Sequence, residues 1–175
     1  MNQTNIELIP VSKANQVLAQ MVALFRIELR SYKGIVSKLN MEAGWEEMEE
    51  YLAAGFPVFA ALVDRQYAGY VVCRIDSEVV WVESIFVREE YRRRGVASAL
   101  HRQAEELAAS YGEETVYNYV HPNNHRMIEF LRKRGYTVLN LIEIRKPYKG
   151  EKLTQKIGVG EHEFDYKHHK EKLWH

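Results

Sequence analysis

Apolar positions along the chain change their spacing several times, and each change marks a new element. Residues 5–11 alternate loosely, Ile6, Leu8 and Pro10 against Asn5, Glu7 and Ile9, which predicts a first strand. Ser12 is a suitable N-cap, and Val17, Met21, Leu24, Phe25 and Leu29 then recur at helical spacing, with Gly34 near the helix end. A shorter helix is predicted over residues 45–52, with Trp45, Met48, Tyr51 and Leu52 on one side and Gly55 as its stop. Its carboxylates, Glu46, Glu47, Glu49 and Glu50, read first as a solvated face and second as an attraction for a cationic substrate. Residues 58–63, 68–74 and 79–87 then read as strands, with a turn at Asp64, Arg65 and Gln66. Connections this short predict antiparallel hairpins.

Beyond them the pattern becomes helical again. A polar loop over residues 89–95 leads into an amphipathic helix over 96–111, ended by Gly112. Residues 115–120, rich in β-branched and aromatic side chains, predict a strand. Pro122, Asn123 and Asn124 open a helix carrying Met127, Ile128, Phe130 and Leu131, which stops at Gly135. Residues 136–144 predict a further strand, 146–150 break it, and one more strand is expected near 153–159 before a charged tail. This order is α+β. One domain over residues 1–150 is expected, with 151–175 as a C-terminal extension.

Composition narrows the functional classes. The 175 residues are 46% hydrophobic, enough for a packed core. Lys plus Arg equals Asp plus Glu at 24, so any anion or nucleic-acid site must come from local clustering. The one cysteine, Cys73, lies in an apolar run without a basic neighbour and reads as a small buried hydrophobe. The first residues lack a basic region followed by an apolar run, and no stretch is long enough to span a bilayer. A soluble, cytoplasmic protein is the expectation. His121 and His125 are separated by Pro122 from a shared helix, and His162, His168, His169 and His175 crowd the tail, so no metal site is expected.

The chemistry-bearing segment is Arg92-Arg93-Arg94-Gly95-Val96-Ala97-Ser98, between a strand and a helix. A helix start leaves backbone N–H groups unpartnered and carries partial positive charge, so it accepts phosphate. Gly95 allows a tight turn, Ala97 and Ser98 leave the approach clear, and the arginines add charge. Neither a Walker sequence nor a three-glycine dinucleotide fingerprint occurs, so the phosphates are not obviously those of ATP or NAD.

The run from Glu83 through Val87 into Tyr91, Arg92, Gly95 and Ala97 resembles the acetyl-CoA-binding motif of the GNAT N-acetyltransferase superfamily, Q/R-x-x-G-x-G/A. A second block, Asn124, Met127, Phe130, Leu131, Lys133, Gly135 and Tyr136, resembles that family's N-x-x-A-x-x-F-Y-x-x-x-G-F. The resemblance covers residues 79–136 most strongly. It implies a mixed, mostly antiparallel sheet of about six or seven strands, splayed at the centre, with about four helices on both faces. It further implies that acetyl-CoA, the acetyl-donor cosubstrate, lays its pantetheine arm along Ile85, Phe86 and Val87. Its pyrophosphate would sit on the amides of Arg93, Arg94, Gly95, Val96, Ala97 and Ser98 beside Arg92. Asn124 matches a cofactor-contacting position, and Glu83 matches a position that can hold the general base. The usual tyrosine acid is replaced by Leu131, leaving Tyr117, Tyr119, His121 or water as substitutes.

These implications give an N-acetyltransferase that acts on a primary amine by direct attack, with the helix of residues 45–52 walling the acceptor site. A second reading, a non-catalytic acyl-CoA-binding or sensor protein, rests on Leu131. A nucleic-acid-binding module would use Arg88, Arg92, Arg93, Arg94 and the basic run at 132–134, against the zero net charge and neighbouring glutamates. No nucleic-acid or membrane partner is expected. A homodimer is left open by the tail strand, which is free to pack on this subunit or a neighbour's.

Overall fold

A computed structural model describes residues 5–167. They divide into two compact units. Among the described residues, the first comprises 5–28 and 37–119 and the second 29–36 and 120–167.

The first unit is built on a five-stranded sheet of order β1-β2-β3-β4-β5. Its strands are β1 (Ile6–Pro10), β2 (Val58–Val63), β3 (Gln66–Asp76), β4 (Val79–Val87) and β5 (Tyr117–Asn118). The first three pairings are antiparallel and the last, β4 with β5, is parallel. Both central hairpins turn through two residues with positive φ, Asp64 (50°) with Arg65 (63°) and Ser77 (50°) with Glu78 (72°). Such turns match the right-handed twist of the strands they join.

Helices α1 (Gln16–Tyr32), α2 (Met41–Ala53) and α3 (Val96–Ser110) cover this sheet, α1 with all but its last turn in this unit. Leu18, Met21 and Val22 of α1 and Met48 and Tyr51 of α2 pack on Val58, Ala60, Tyr70, Val72 and Phe86. Gly69, one residue from Tyr70 and therefore on the opposite face, lies against Leu100 of α3. The sheet is thus sandwiched, α1 and α2 on one face and α3 on the other. Gly44 lets α2 approach α1 closely, since a Cβ there would lie 2.2 Å from the Ala19 carbonyl oxygen.

Helix α1 starts later than Ser12 predicts. Val11 still donates to the Val58 carbonyl (2.8 Å), which keeps the chain extended, and Asn15 caps instead by accepting from the Leu18 N–H (2.9 Å). Asn40 caps α2 by accepting from the Ala43 N–H (3.0 Å), so that helix begins before Trp45. The strand expected over 115–120 reduces to the two residues of β5, because only Trp81 and Val82 of β4 pair with it.

The second unit holds α4 (His125–Lys133) and a separate hairpin of β6 (Gln155–Val159) and β7 (His162–Tyr166). Asn123, 1% exposed, ties it together. Its side-chain amide donates to the carbonyls of Tyr32 (2.9 Å) and Lys167 (3.0 Å), and its oxygen accepts from the Tyr166 hydroxyl. Two sequence expectations fail here. Residues 136–144 form no strand: the Tyr136 N–H bonds back to the Leu131 carbonyl (3.0 Å), and among the described residues no strand ladder includes the segment. The stretch after Val159 turns back at Gly160 to make β7 rather than a charged tail. His168, His169 and His175 lie outside the described residues.

Candidate functional site

The site begins where β4 and β5 part. Their ladder consists of Trp81 opposite Tyr117 and Val82 opposite Asn118. From Glu83 to Val87, β4 is paired on its β3 side only. Its other edge therefore offers backbone N–H and C=O groups to an extended, amide-bearing ligand, apart from the Val87 carbonyl, which Arg92 occupies.

Glu83 stands at the fork. Val72 pairs with Ser84 and Cys73 with Val82, so Glu83 is the extra residue of a β-bulge. Its carboxylate accepts from Arg74 Nε at 3.1 Å. The Arg74 guanidinium also lies 5.3 Å from the centre of the Trp81 ring. Trp81 in turn stacks on Tyr119 (4.7 Å between centroids) and packs against Tyr117 (4.9 Å). This ladder of rings closes the narrow end of the fork. Nearby, Tyr51 donates to Glu47 and accepts from Arg26 Nη2 at 3.3 Å. Burial, the Glu47 hydrogen bond and the charges of Glu47 and Glu83 all push the Tyr51 hydroxyl upward, so it stays protonated. Glu47 is thus turned inward, whereas Glu46, Glu49 and Glu50 are exposed.

Helix α3 starts at the open end of the fork. Gly95, its N-cap, has φ +85° and no side-chain cap bond is made there. The first intrahelical bond runs from the Ala99 N–H to the Gly95 carbonyl (3.0 Å). The amides of Val96, Ala97 and Ser98 precede it and have no helical acceptor. Gly95 is exposed, and even a Cβ there would meet nothing nearer than Ile6 Cδ1 at 3.7 Å. Diphosphate fits this end: donors converge, the helix dipole favours negative charge, and no side chain obstructs.

The arginines of the turn divide in their duties. Arg92 braces the turn, donating from Nε to the Val87 carbonyl (2.9 Å), pairing with Glu28 and lying over the Phe86 ring. Arg93 and Arg94 are exposed, Arg94 over the Tyr91 ring. Arg88 pairs with Glu90 (2.6 Å). Two of the arginines that suggested nucleic-acid binding are therefore held by carboxylates.

His101 and Asn118 are absent from the sequence reading. His101 is fully buried in α3, with Nδ1 3.2 Å from Glu105 and Nε2 3.1 Å from the side-chain oxygen of Asn118. It thereby fastens α3 to the last paired residue of β5. A histidine on an apolar helix face gives no signal of this until the register places Asn118 opposite it.

Asn124 lies in the second unit, where its side-chain oxygen accepts from the Met127 N–H (3.1 Å) and caps α4. Leu131 is buried. His121 accepts at Nδ1 from the Asn123 N–H (3.1 Å) and stacks near Tyr32. Burial, helped by Lys33, lowers its pKa. Cys73 is fully buried, which pushes its thiol up to about 12. Among the described residues no group of three or more His, Cys, Asp or Glu is placed to hold a metal ion, and no helix is long and apolar enough to cross a membrane.

The sheet thus forks beside an uncapped helix start, and comparison with known proteins shows the family. The sequence profile of the "Acetyltransferase (GNAT) family" matches residues 21–136, and the chain belongs to that family. An N-alpha-acetyltransferase of Saccharolobus solfataricus is 29% identical, over 56% of this chain and 65% of that protein, so the match spans just under two thirds of the relative. Among solved structures, the aminoglycoside N-acetyltransferase AAC(6')-Iy in complex with CoA superposes with a TM-score of 0.61 at 22% identity, covering 82% of this chain and 95% of that one. The PaiA N-acetyltransferase of Thermoplasma acidophilum in complex with coenzyme A gives 0.61 at 19% identity, covering 74% and 88%. At these identities the superpositions establish the fold.

Proposed function

We propose that the protein is an acetyl-CoA-dependent N-acetyltransferase that acetylates a primary amine, on a small molecule or a protein, by direct attack in a ternary complex. The observation that carries this reading is the continuity of two open surfaces. The unpaired edge of Ile85, Phe86 and Val87 suits a pantetheine arm, and the uncapped amides of Val96, Ala97 and Ser98 suit a diphosphate. The names of the relatives support amine acetylation and leave the acceptor open.

Glu83 would take the proton from the ammonium group, directly or through water, so that the nitrogen lone pair can attack the thioester carbonyl. A backbone N–H among Ile85, Phe86 and Val87 would donate to the oxygen as it becomes negative. The attacking nitrogen gives up its second proton to water, the C–S bond breaks, the amide is released, and the sulfur leaves as thiolate or takes that proton back from the water. Leu131, in place of the usual tyrosine, supplies none. Thiolate is a competent leaving group, and holding amine and thioester together supplies much of the rate. The reading needs no metal and goes with a cytoplasmic location.

Two variants test the cradle with opposite expected effects on folding. Gly95→Trp places bulk at the turn and forces a side chain into left-handed backbone. Ser98→Asp adds negative charge to the first turn of α3, which favours the helix by a few tenths of a kcal/mol or more but repels diphosphate. Calorimetry should show coenzyme A binding to the native protein and at least a tenfold loss in both variants, with Ser98→Asp no less stable than the parent. Unchanged affinity in Ser98→Asp refutes the site. Glu83→Gln should depress thiol release across an amine panel and spare coenzyme affinity. Binding without turnover on any amine by the native protein favours the acyl-CoA-sensor reading.

A further inference from the structure

Glu83 has little backbone help in keeping its place. It is the extra residue of the bulge, so no β3 residue stands opposite it, and bulges re-aim a side chain relative to its strand. The hydroxyl of its neighbour Ser84 is taken by Tyr70 (2.8 Å). The Glu83 side chain turns about several single bonds and is 32% exposed. A carboxylate in that setting wanders unless something holds it. An error of about 1 Å in the placing of a reacting group costs on the order of a hundredfold in rate.

Arg74 is placed to hold it. Its Nε–H donates to Glu83 Oε2 at 3.1 Å, and its Nη1 lies 3.6 Å from Asp76. Arg74 is opposite Trp81 in the register of β3 and β4, and its guanidinium lies 5.3 Å from the centre of that ring. Trp81 is itself stacked on Tyr119, with the ring planes 13° apart. The guanidinium thus sits on a column of rings that reaches from one prong of the fork to the other. A planar cation uses such a seat and still directs an N–H at a carboxylate, which a lysine ammonium cannot do as rigidly. Of the two carboxylates, Asp76 is farther away and 67% exposed, so water weakens its pull more. The Glu83 contact is shorter and better sheltered. Arg74 takes Oε2, so Oε1 is the oxygen that remains for the amine or a bridging water.

We propose that Arg74 is a positioning residue for the transfer: seated on Trp81, it holds the Glu83 carboxylate by Oε2 and leaves Oε1 to the acceptor amine. This rests on the acetyltransferase reading and on Glu83 as its base. Arg74 touches no reacting atom, and its effect passes through Glu83 alone. Protonation of Oε1 leaves Oε2 a carbonyl oxygen, still able to accept from Arg74, so the clasp survives the transfer.

A double-mutant cycle in the full chain tests this, with Arg74→Met, Glu83→Gln and the pair compared with the native protein. Methionine keeps an unbranched apolar stem over Trp81 and removes the guanidinium. With acetyl-CoA and a primary amine that the native protein accepts, kcat should fall about tenfold or more in Arg74→Met. Calorimetric affinity for coenzyme A and circular dichroism should stay as in the native protein. In the pair, loss of Arg74 should cost no more than about twofold beyond Glu83→Gln alone, because residues that act as a unit are not additive. A purely structural Arg74 would slow both backgrounds by the same factor. Equal factors in the two backgrounds, or Arg74→Met turning over at the native rate, would overturn the proposal. Altered dichroism or weakened coenzyme binding in Arg74→Met would count against it equally, as the mark of a structural residue. A native protein that binds coenzyme A and turns over no amine overturns the acetyltransferase reading, and Glu83→Gln at the native rate overturns the base; either result removes this proposal as well.

Discussion

Replacing Gly44 with alanine sets two effects of opposite sign against each other. In an open helix interior the change stabilises by up to about 1 kcal/mol, because alanine loses less backbone entropy than glycine. Here the new Cβ would lie 2.2 Å from the Ala19 carbonyl oxygen and 3.0 Å from Ala23 Cβ. The first neighbour is backbone within α1 and has no rotamer to escape into, so α2 must retreat by about 1 Å, at the costly end of overpacking, about 3 kcal/mol. The net expectation is a loss of about 2 kcal/mol. At a urea m-value of about 2 kcal/mol/M this lowers the unfolding midpoint by about 1 M with little change in slope. Glu46→Ala, exposed on the same helix, should stay within about 0.5 kcal/mol of the parent. A Gly44→Ala midpoint at or above the parent's would refute the close approach of α1 and α2.

Two further expectations concern titratable groups. Cys73, held up at about 12 by burial, should react with a thiol reagent at mildly alkaline pH far more slowly in the native protein than in urea; native reaction at the unfolded rate would refute its burial. Glu151 is brought down to about 2 by its hydrogen bonds from Arg145 and the Tyr148 N–H. Its folded value lies below the unfolded one, so its stabilisation is present above the ordinary carboxylate range and lost as pH falls toward about 2. Carboxyl NMR should find that low midpoint, and Arg145→Gln should return it toward the ordinary range. An unmoved midpoint would rule out the ion pair as its cause.

Local signals carried much of the fold. The hairpins of β2, β3 and β4 were legible because alternation and short connections are properties of neighbouring residues. The start of α3 was legible because a polar loop ending in Gly95 gives way to an amphipathic run from Val96. What escaped depends on pairing between distant residues. Residues 115–120 and 136–144 have equal strand character, yet among the described residues only Tyr117 and Asn118 of the two enter a strand ladder. Ser12 and Asn15 are both good caps, and the choice falls to Asn15 because Val11 remains bonded to Val58. The clasp of Arg74 on Glu83 and the role of His101 required the register of β4 against its two neighbours. The bulge that isolates Glu83 is invisible in a strand whose own alternation continues undisturbed.

Helix α3 has a geometric consequence through His101. Its first turn presents the open amides, and its second grips Asn118, where the sheet forks. Five residues separate Val96 from His101, a rise of about 7.5 Å along a rigid rod. One element therefore works as a ruler between the two landmarks, and any molecule that touches both is gauged against a length that loop motion cannot alter.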